Sequence, residues 1–218
     1  MMGQPIAVFL CDESGVMAEP WAAEGIECFC VDVEHSIRRD RKVGNINFVW
    51  GDCRSWRPPE GCRIIFGAAF PPCTHVAVSG ARDFIKKGGV MLRDALDTFE
   101  ACRQALAWSG APYCVENPRG VLASIPHIGR PQHRFDPCDY AGYADDPASE
   151  SYTKETCLWV GNGFVMPEAR PEIPVLGSKM HLLPPTADRA SIRSKTPQGF
   201  ARAVKIANFT RSMERLAA

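Results

Sequence analysis

Short apolar runs alternate with amphipathic patterns over the first 120 residues of the chain. A short apolar run bounded by turn residues is typical of a buried strand, and a longer segment with apolar positions at 3.6-residue spacing predicts a helix. The predicted strands are residues 5–10, 26–33, 46–50, 63–69 and 113–115, and the predicted helices are residues 18–24 and 92–109. Strands that alternate with helices predict an α/β fold with a doubly wound, mostly parallel sheet.

The character of the sequence changes after Gly120, where prolines interrupt every periodic run. Residues 156–160 predict a returning strand, and residues 199–213 predict a last helix with Thr196 as its N-cap and Pro197 at its first position. We therefore predict three parts, without a clean linker between them. They are a core over residues 1–160, a small irregular lobe over 161–195, and a C-terminal helix over 196–218 that returns to the core.

The composition limits the class of protein. A chain of 218 residues, 45% of them hydrophobic, is long enough to bury a core and too apolar for a disordered protein. Its apolar runs are shorter than the roughly 20 residues that span a bilayer, and its first residues lack the basic start of a signal peptide. We therefore expect no membrane span and a cytoplasmic location, in which the ten cysteines stay reduced.

Charge and potential metal ligands add little to this picture. The 25 basic and 25 acidic residues balance, but residues 188–218 are basic and residues 136–155 are acidic. The basic stretch fits either a track for phosphates or an ordinary charged helix. We expect no metal ion, because the spacings of the candidate ligands match no usual pattern. These candidates are His127, His133, Cys138 and Cys157.

Polar residues collect directly after the predicted strands. In open α/β sheets, ligands bind outside the carboxyl ends of the strands. The polar segments at these ends are residues 11–15, 32–34, 51–52, 70–73 and 116–118. The pattern therefore predicts a cleft that holds both a cofactor and a substrate.

Cys73 is the strongest catalytic candidate in the sequence. Two prolines precede it, directly after the predicted strand 63–69. A cysteine fixed at a strand end suits nucleophilic catalysis if its surroundings favour the thiolate. Glu116 ends the next predicted strand, so its carboxyl group and the Cys73 sulfur face one pocket if the two strands are neighbours. His75 lies too close to Cys73 along the chain to suit the base of a Cys-His hydrolase.

Four motifs in register resemble the DNA (cytosine-5)-methyltransferase family, in a short form. Residues 70–73 (Phe-Pro-Pro-Cys) are similar to its Pro-Cys nucleophile motif, and residues 116–117 (Glu-Asn) to its Glu-Asn-Val motif. Residues 51–52 are similar to its Gly-Asp after the third strand, and residues 26–34 to its second strand with an acidic end. The resemblance implies a Rossmann-like methyltransferase fold, S-adenosylmethionine as cofactor, DNA, in duplex form, as partner, and a monomer.

The resemblance also implies roles for individual residues. Cys73 would add to carbon 6 of cytosine as a thiolate, and Glu116 would protonate ring nitrogen 3. We expect Asp32, in preference to Glu34, to accept hydrogen bonds from the ribose of the cofactor. The implied cofactor-binding residues are Asp12, Glu13, Ser14, Gly15, Asp32, Glu34, Asp52 and Phe70. The implied DNA-binding residues are Ser79, Arg82, Lys86, Lys87, Arg119 and Lys154.

The sequence departs from the family pattern at several positions. The cofactor turn keeps a single glycine, Gly15, and Pro118 stands where the family has Val. Residues 154–156 take the place of an Arg-x-Arg pair, and the recognition region is reduced to residues 161–195. Two alternatives therefore stay open. One is the same chemistry on a free cytosine nucleotide or on RNA, and the other is a catalytically silent nucleic-acid-binding relative.

Overall fold

A computed structural model of the protein describes residues 3–77, 84–184, 186 and 189–217. Over these residues, eight strands form one mixed sheet in the order β3-β4-β2-β1-β5-β6-β8-β7. The strands are β1 Gln4–Leu10, β2 Glu27–Asp32, β3 Arg41–Val43, β4 Ile46–Trp50, β5 Cys62–Ala69, β6 Tyr113–Pro118, β7 His133–Phe135 and β8 Thr156–Gly161. The helices of the same residues are α1 Glu19–Ala22, α2 Phe84–Trp108, α3 Pro147–Glu150, α4 Lys179–Leu182, α5 Arg189–Ser194 and α6 Gln198–Ala217.

The centre of the sheet is parallel. Strands β4, β2, β1, β5 and β6 pair in parallel, whereas β8 runs antiparallel to both β6 and β7, and β3 runs antiparallel to β4. Strand β1 is buried from Ile6 to Leu10 on both faces, as expected for a strand covered by helices on each side. The predicted α/β fold with a mostly parallel sheet is therefore confirmed.

Each face of the sheet has its own hydrophobic layer. On one face, α1 and α6 cover the strands, and the Trp21 ring stacks on Phe66 at a centroid distance of 4.4 Å. Phe200 of α6 is buried in the same layer. On the other face, α2 covers the strands, and its Phe99 meets the Trp159 ring edge-on at 5.1 Å. No helix of the described segments combines the length and apolar character needed to cross a membrane.

The chain changes direction across the sheet next to β1. From β1 it passes to β2 and β4 on one side, and it then returns to β5 and β6 on the other side. The carboxyl ends of β1 and β5 therefore flank the crevice in which open α/β sheets bind their ligands. The segments that follow these two strands begin at Cys11 and Phe70.

The observed elements differ from the predicted ones at the edges of the sheet and at the ends of the helices, and the largest difference is that α2 begins at Phe84 instead of at residue 92. The short edge strands β3 and β7 escaped prediction because three residues are too few to show a hydrophobic period. Helix α1 is shorter than the predicted 18–24, and α6 begins at Gln198 instead of at residue 199. The first N–H groups of α6, those of Gln198 and Gly199, donate to the Glu150 carboxylate, so a distant residue satisfies the groups that Thr196 was expected to cap.

Candidate active site

The loop that carries Cys73 continues directly from β5. The Phe70 N–H donates to the Leu10 carbonyl at 2.9 Å, so the loop starts beside the end of β1. After the two prolines, the Cys73 carbonyl accepts hydrogen bonds from the N–H groups of Val76 and Ala77, which closes a tight turn around the cysteine. Cys73 itself is half-buried at the end of the sheet.

Two contacts fasten this loop to the chain that follows β6. Asn117 is buried, and its Nδ2 donates to the Pro71 carbonyl at 2.8 Å. The backbones of Val76 and Gly120 approach so closely that a Cβ on Gly120 would lie 2.0 Å from the Val76 oxygen. The hydrogen bond from Asn117 therefore holds the Cys73 loop in position at the end of the sheet. The close approach of the Val76 and Gly120 backbones is possible because glycine has no Cβ.

Glu116 lies on β6, and β6 is the parallel neighbour of β5. Its Oε1 is shielded from solvent and has no hydrogen-bond partner among the described residues. Burial raises the pKa of the Glu116 carboxyl group, and the positive charge of Lys154 opposes this shift only in part. Arg119 pairs with Glu155, at 3.6 Å, instead of with Glu116. Glu116 is thus a weaker acid than an ordinary glutamate, because burial penalises its charged form.

Opposing charges act on the Cys73 thiol. Burial and the Glu116 carboxyl group raise the pKa of Cys73, whereas Lys154 and Arg193 lower it. If Glu116 is protonated, its repulsion disappears, and burial alone then opposes the effect of the two cations on the pKa of Cys73. Glu116 and Cys73 are therefore electrostatically linked, as two groups at the same strand edge should be.

A narrow pocket lies beside Glu116. Lys154 lines this pocket, and its Nζ donates a hydrogen bond to the Arg193 carbonyl at 2.8 Å. This hydrogen bond connects the segment before β8 to helix α5. The end of the irregular lobe and the start of α6 therefore close the pocket. Its lining consists of Phe70, Glu116, Phe135, Lys154, Thr156, Ser194, Lys195, Thr196, Pro197 and Phe200. Phe70 thus lies on the Glu116 side of the crevice.

The turn after β1 is organised by Asp12. Its buried Oδ1 accepts hydrogen bonds from the N–H groups of Ser14 and Gly15, at 3.1 and 2.8 Å, and from the Ser14 hydroxyl. Gly15 has a φ of +72°, and a Cβ there would lie 2.8 Å from the Phe48 ring. Asp12 therefore shapes the turn, while Glu13 is half-buried and Ser14 is exposed on its surface.

Asp32 and Glu34 follow each other at the end of β2. Asp32 Oδ1 accepts the Glu34 N–H at 2.8 Å, and no ion pair involves Asp32 within the described segments. Burial raises the pKa of Asp32 to about 6. The side chain of Glu34 is exposed. At the end of β2, Asp32 is therefore the half-buried carboxyl group. Its Oδ1 accepts the Glu34 N–H, so its Oδ2 is the oxygen that a ligand would contact.

Asp52 follows β4 and is engaged by a neighbour. Arg54 donates to both of its carboxylate oxygens, with Nη2 at 2.7 Å from Oδ2. The same guanidinium reaches Asp94 of α2 at 2.7 Å. The hydrogen bonds from Arg54 lower the pKa of Asp52, so this carboxylate is ionised. Its contact with a cofactor remains a prediction.

The predicted DNA-binding residues fall into three groups. Ser79 and Arg82 lie outside the described residues, and Lys86 and Lys87 belong to the first turns of α2. Arg119 is exposed beside Glu155, and Lys154 lies in the pocket. Two cations of the basic C-terminal stretch form ion pairs within the protein, Arg202 with Asp145 and Lys205 with Glu24. These two residues therefore behave as part of an ordinary charged helix.

Sequence reasoning missed three contributions to the site. The sequence shows Asn117 only as part of a motif. Its hydrogen bond to the Pro71 carbonyl depends on the pairing of β5 with β6, which the sequence does not show. The charge of Arg193 reaches Cys73 across 120 residues of chain, and only the general basicity of residues 188–218 pointed to it. The fit of Gly120 against Val76 had no local signal.

A scan against models of protein families finds no match to this chain, and a search of curated proteins finds no significant match. The assignment of an activity therefore depends on the motifs and on the geometry of the site.

Proposed function

We propose that the protein is an S-adenosylmethionine-dependent methyltransferase that methylates carbon 5 of cytosine in DNA through a covalent adduct with Cys73. One observation carries this proposal. A buried carboxyl group, Glu116, and a cysteine on a proline-fixed loop occupy the ends of neighbouring parallel strands, and the charge of Lys154 acts on both of them. Two of the four motifs that resemble the cytosine-5 family contain Cys73 and Glu116, in the order in which the family has them.

The chemistry explains why an acid and a thiolate belong together. Addition of the Cys73 thiolate to carbon 6 of cytosine forms a C–S bond, and the electron pair of the 5,6 double bond shifts to form a 4,5 double bond, which places negative charge on nitrogen 3. The proton of Glu116, whose neutral form burial favours, passes to nitrogen 3 and neutralises the charge that develops there. Carbon 5 is then nucleophilic enough to take a methyl group. The proton on nitrogen 3 then returns to Glu116, and transfer of the carbon-5 proton to water expels the Cys73 thiolate and restores the 5,6 double bond.

The crevice between β1 and β5 suits the donor of that methyl group. S-adenosylmethionine supplies an electrophilic methyl group on a sulfonium when bound. Asp32 would accept its ribose hydroxyls, since a half-buried carboxyl group with a free oxygen at the end of β2 is the usual partner of such a diol. Glu13 and Ser14 would face its methionine end from the turn after β1.

A second candidate keeps the chemistry and changes the substrate. Arg202 and Lys205 are engaged in ion pairs with Asp145 and Glu24, which leaves fewer cations for a nucleic-acid backbone than the sequence suggested. This observation favours a free cytosine nucleotide over a long duplex. A third candidate, a silent binding protein, gains support from the turn after β1, where Asp12 occupies the N–H groups of Ser14 and Gly15.

Methyl transfer from labelled S-adenosylmethionine tests these candidates side by side. The substrates are duplex DNA, single-stranded DNA, RNA and dCMP, each with wild-type protein and with the Cys73→Ser variant. We expect label on cytosine of duplex DNA with the wild type only. Label on dCMP alone would replace DNA with the nucleotide, and an absence of label on all four, together with retained DNA binding, would indicate a silent relative.

A further inference from the structure

Three cysteines from distant parts of the chain meet beside the crevice. Cys11 follows β1, Cys53 follows β4, and Cys102 lies in the C-terminal half of α2. Their Sγ atoms are separated by 3.6 Å (Cys11 to Cys53), 3.5 Å (Cys53 to Cys102) and 3.9 Å (Cys11 to Cys102). All three thiols are free, and two of them are buried.

These separations match the edges of a metal site. A Zn–S bond of about 2.3 Å in tetrahedral geometry places two sulfurs about 3.8 Å apart. The three observed distances bracket this value. They are far longer than the roughly 2.05 Å of a disulfide bond. No other group of three potential ligand residues in the described segments comes together in this way.

The side chains and the backbone of the cluster are held in a defined arrangement. The Cys11 and Cys102 thiols both donate hydrogen bonds to the Cys53 sulfur, so the three side chains already point toward one another. The backbone of Cys11 has a φ of +54°, a conformation that non-glycine residues rarely adopt. Such strain at a position that aligns a ligand is typical of functional sites.

We propose that Cys11, Cys53 and Cys102 form a three-thiolate site for a thiophilic cation of the Zn²⁺ class, with its fourth coordination position open to a small ligand. The cation would join the end of β1, the segment after β4 and helix α2 at the rim of the crevice. The site does not depend on the proposed methyltransferase activity. No sequence motif points to this site, because its ligands are 42 and 49 residues apart along the chain.

Cadmium titration of the full-length protein tests this site. The protein carries Cys73→Ser, so that the candidate nucleophile cannot contribute, and is kept reduced with a phosphine after removal of metals by a chelator. We expect the ultraviolet absorbance of the cadmium–thiolate bond to saturate at one Cd²⁺ per chain and to disappear on competition with Zn²⁺. Absence of a saturable signal from the folded protein would overturn the proposal without any further variant.

Matched variants locate the ligands. Cys53→Ser and Cys102→Ala should each weaken cadmium binding by more than about 100-fold, the upper end of what loss of a mere supporting residue costs. Cys114→Ala removes an equally buried thiol from outside the cluster and should leave the affinity unchanged. Equal binding by Cys53→Ser, or an equal loss in Cys114→Ala, would contradict the assignment. A disulfide among the three cysteines in air-exposed protein, combined with no uptake of cadmium after reduction, would identify a redox pair instead.

Discussion

Asp32 offers a prediction in which stability and function oppose each other. Its carboxyl group is half-buried at the end of β2 and, among the described residues, accepts one hydrogen bond, from the Glu34 N–H. Burial raises its pKa from an ordinary value of 3.8 to about 6, so the folded protein at neutral pH holds a poorly solvated carboxylate. An Asp32→Asn substitution keeps the acceptor for Glu34 and removes the charge.

The size and sign of the effect follow from this pKa shift. A pKa difference of about 2 between the folded and unfolded states corresponds to about 3 kcal/mol, and solvent screening of a half-buried group reduces this to about 1–3 kcal/mol. A raised folded-state pKa contributes stability that is present below pH 4 and is lost as the pH rises through 6. Asp32→Asn should therefore raise the free energy of unfolding by about 1–3 kcal/mol at pH 8 and leave it unchanged near pH 3.

Urea unfolding at a series of pH values measures this difference, and Asp52→Asn serves as the control of opposite sign. Hydrogen bonds from Arg54 lower the pKa of Asp52, so its removal should cost stability at neutral pH. Calorimetry with S-adenosylmethionine should show that Asp32→Asn binds the cofactor more weakly by about 1.5–3 kcal/mol, and that Glu34→Gln binds it normally. Equal stability of Asp32→Asn and wild type at pH 8, or a gain that persists at pH 3, would refute the reasoning.

The remaining predictions concern catalysis and DNA binding. Glu116→Gln should slow the chemical step by roughly 10²–10³-fold in single-turnover assays, because an amide cannot give up a proton; an unchanged rate with lower stability would make Glu116 structural. Asn117→Asp places a carboxylate against the Pro71 carbonyl, so turnover should fall while cofactor affinity, measured by calorimetry, is kept; an equal fall in both would indicate general unfolding. Replacing Lys86 and Lys87 by Gln should weaken binding to all duplexes alike and reduce the slope of log affinity against log salt by about 0.9 per lost phosphate contact; an unchanged slope would exclude these lysines from the interface.

The strands and the order of the site segments could be predicted because each buried strand leaves a local signal. The apolar runs from Pro5 to Leu10 and from Ile46 to Trp50 lie within observed strands, and the polar segments that follow them line one edge of the sheet. The pairing of Cys73 with Glu116 was predictable only as a condition on neighbouring strands. Strand β5 pairs with β6, and this pairing fulfils the condition.

Contacts between distant segments could not be predicted, because they depend on how the irregular second half folds back. The Glu150 carboxylate that receives the first N–H groups of α6 is 48 residues away from Gln198. The closure of the pocket by residues 194–197 likewise depends on the position of α6 against the sheet. The three-cysteine cluster shows the same limit, since three isolated cysteines in a reduced chain have no pattern to distinguish them from ordinary buried thiols.

Covalent trapping tests the central claim most directly. Wild-type protein is incubated with S-adenosylmethionine and a duplex that carries 5-fluorocytosine, whose fluorine blocks the loss of the group at carbon 5 and so prevents release of the enzyme. Mass spectrometry of the digested complex should find the methylated base attached to the peptide that contains Cys73, and Cys73→Ser should give no adduct. Methylation of ordinary duplex DNA by Cys73→Ser at the wild-type rate, or an adduct on any other cysteine, would contradict the account.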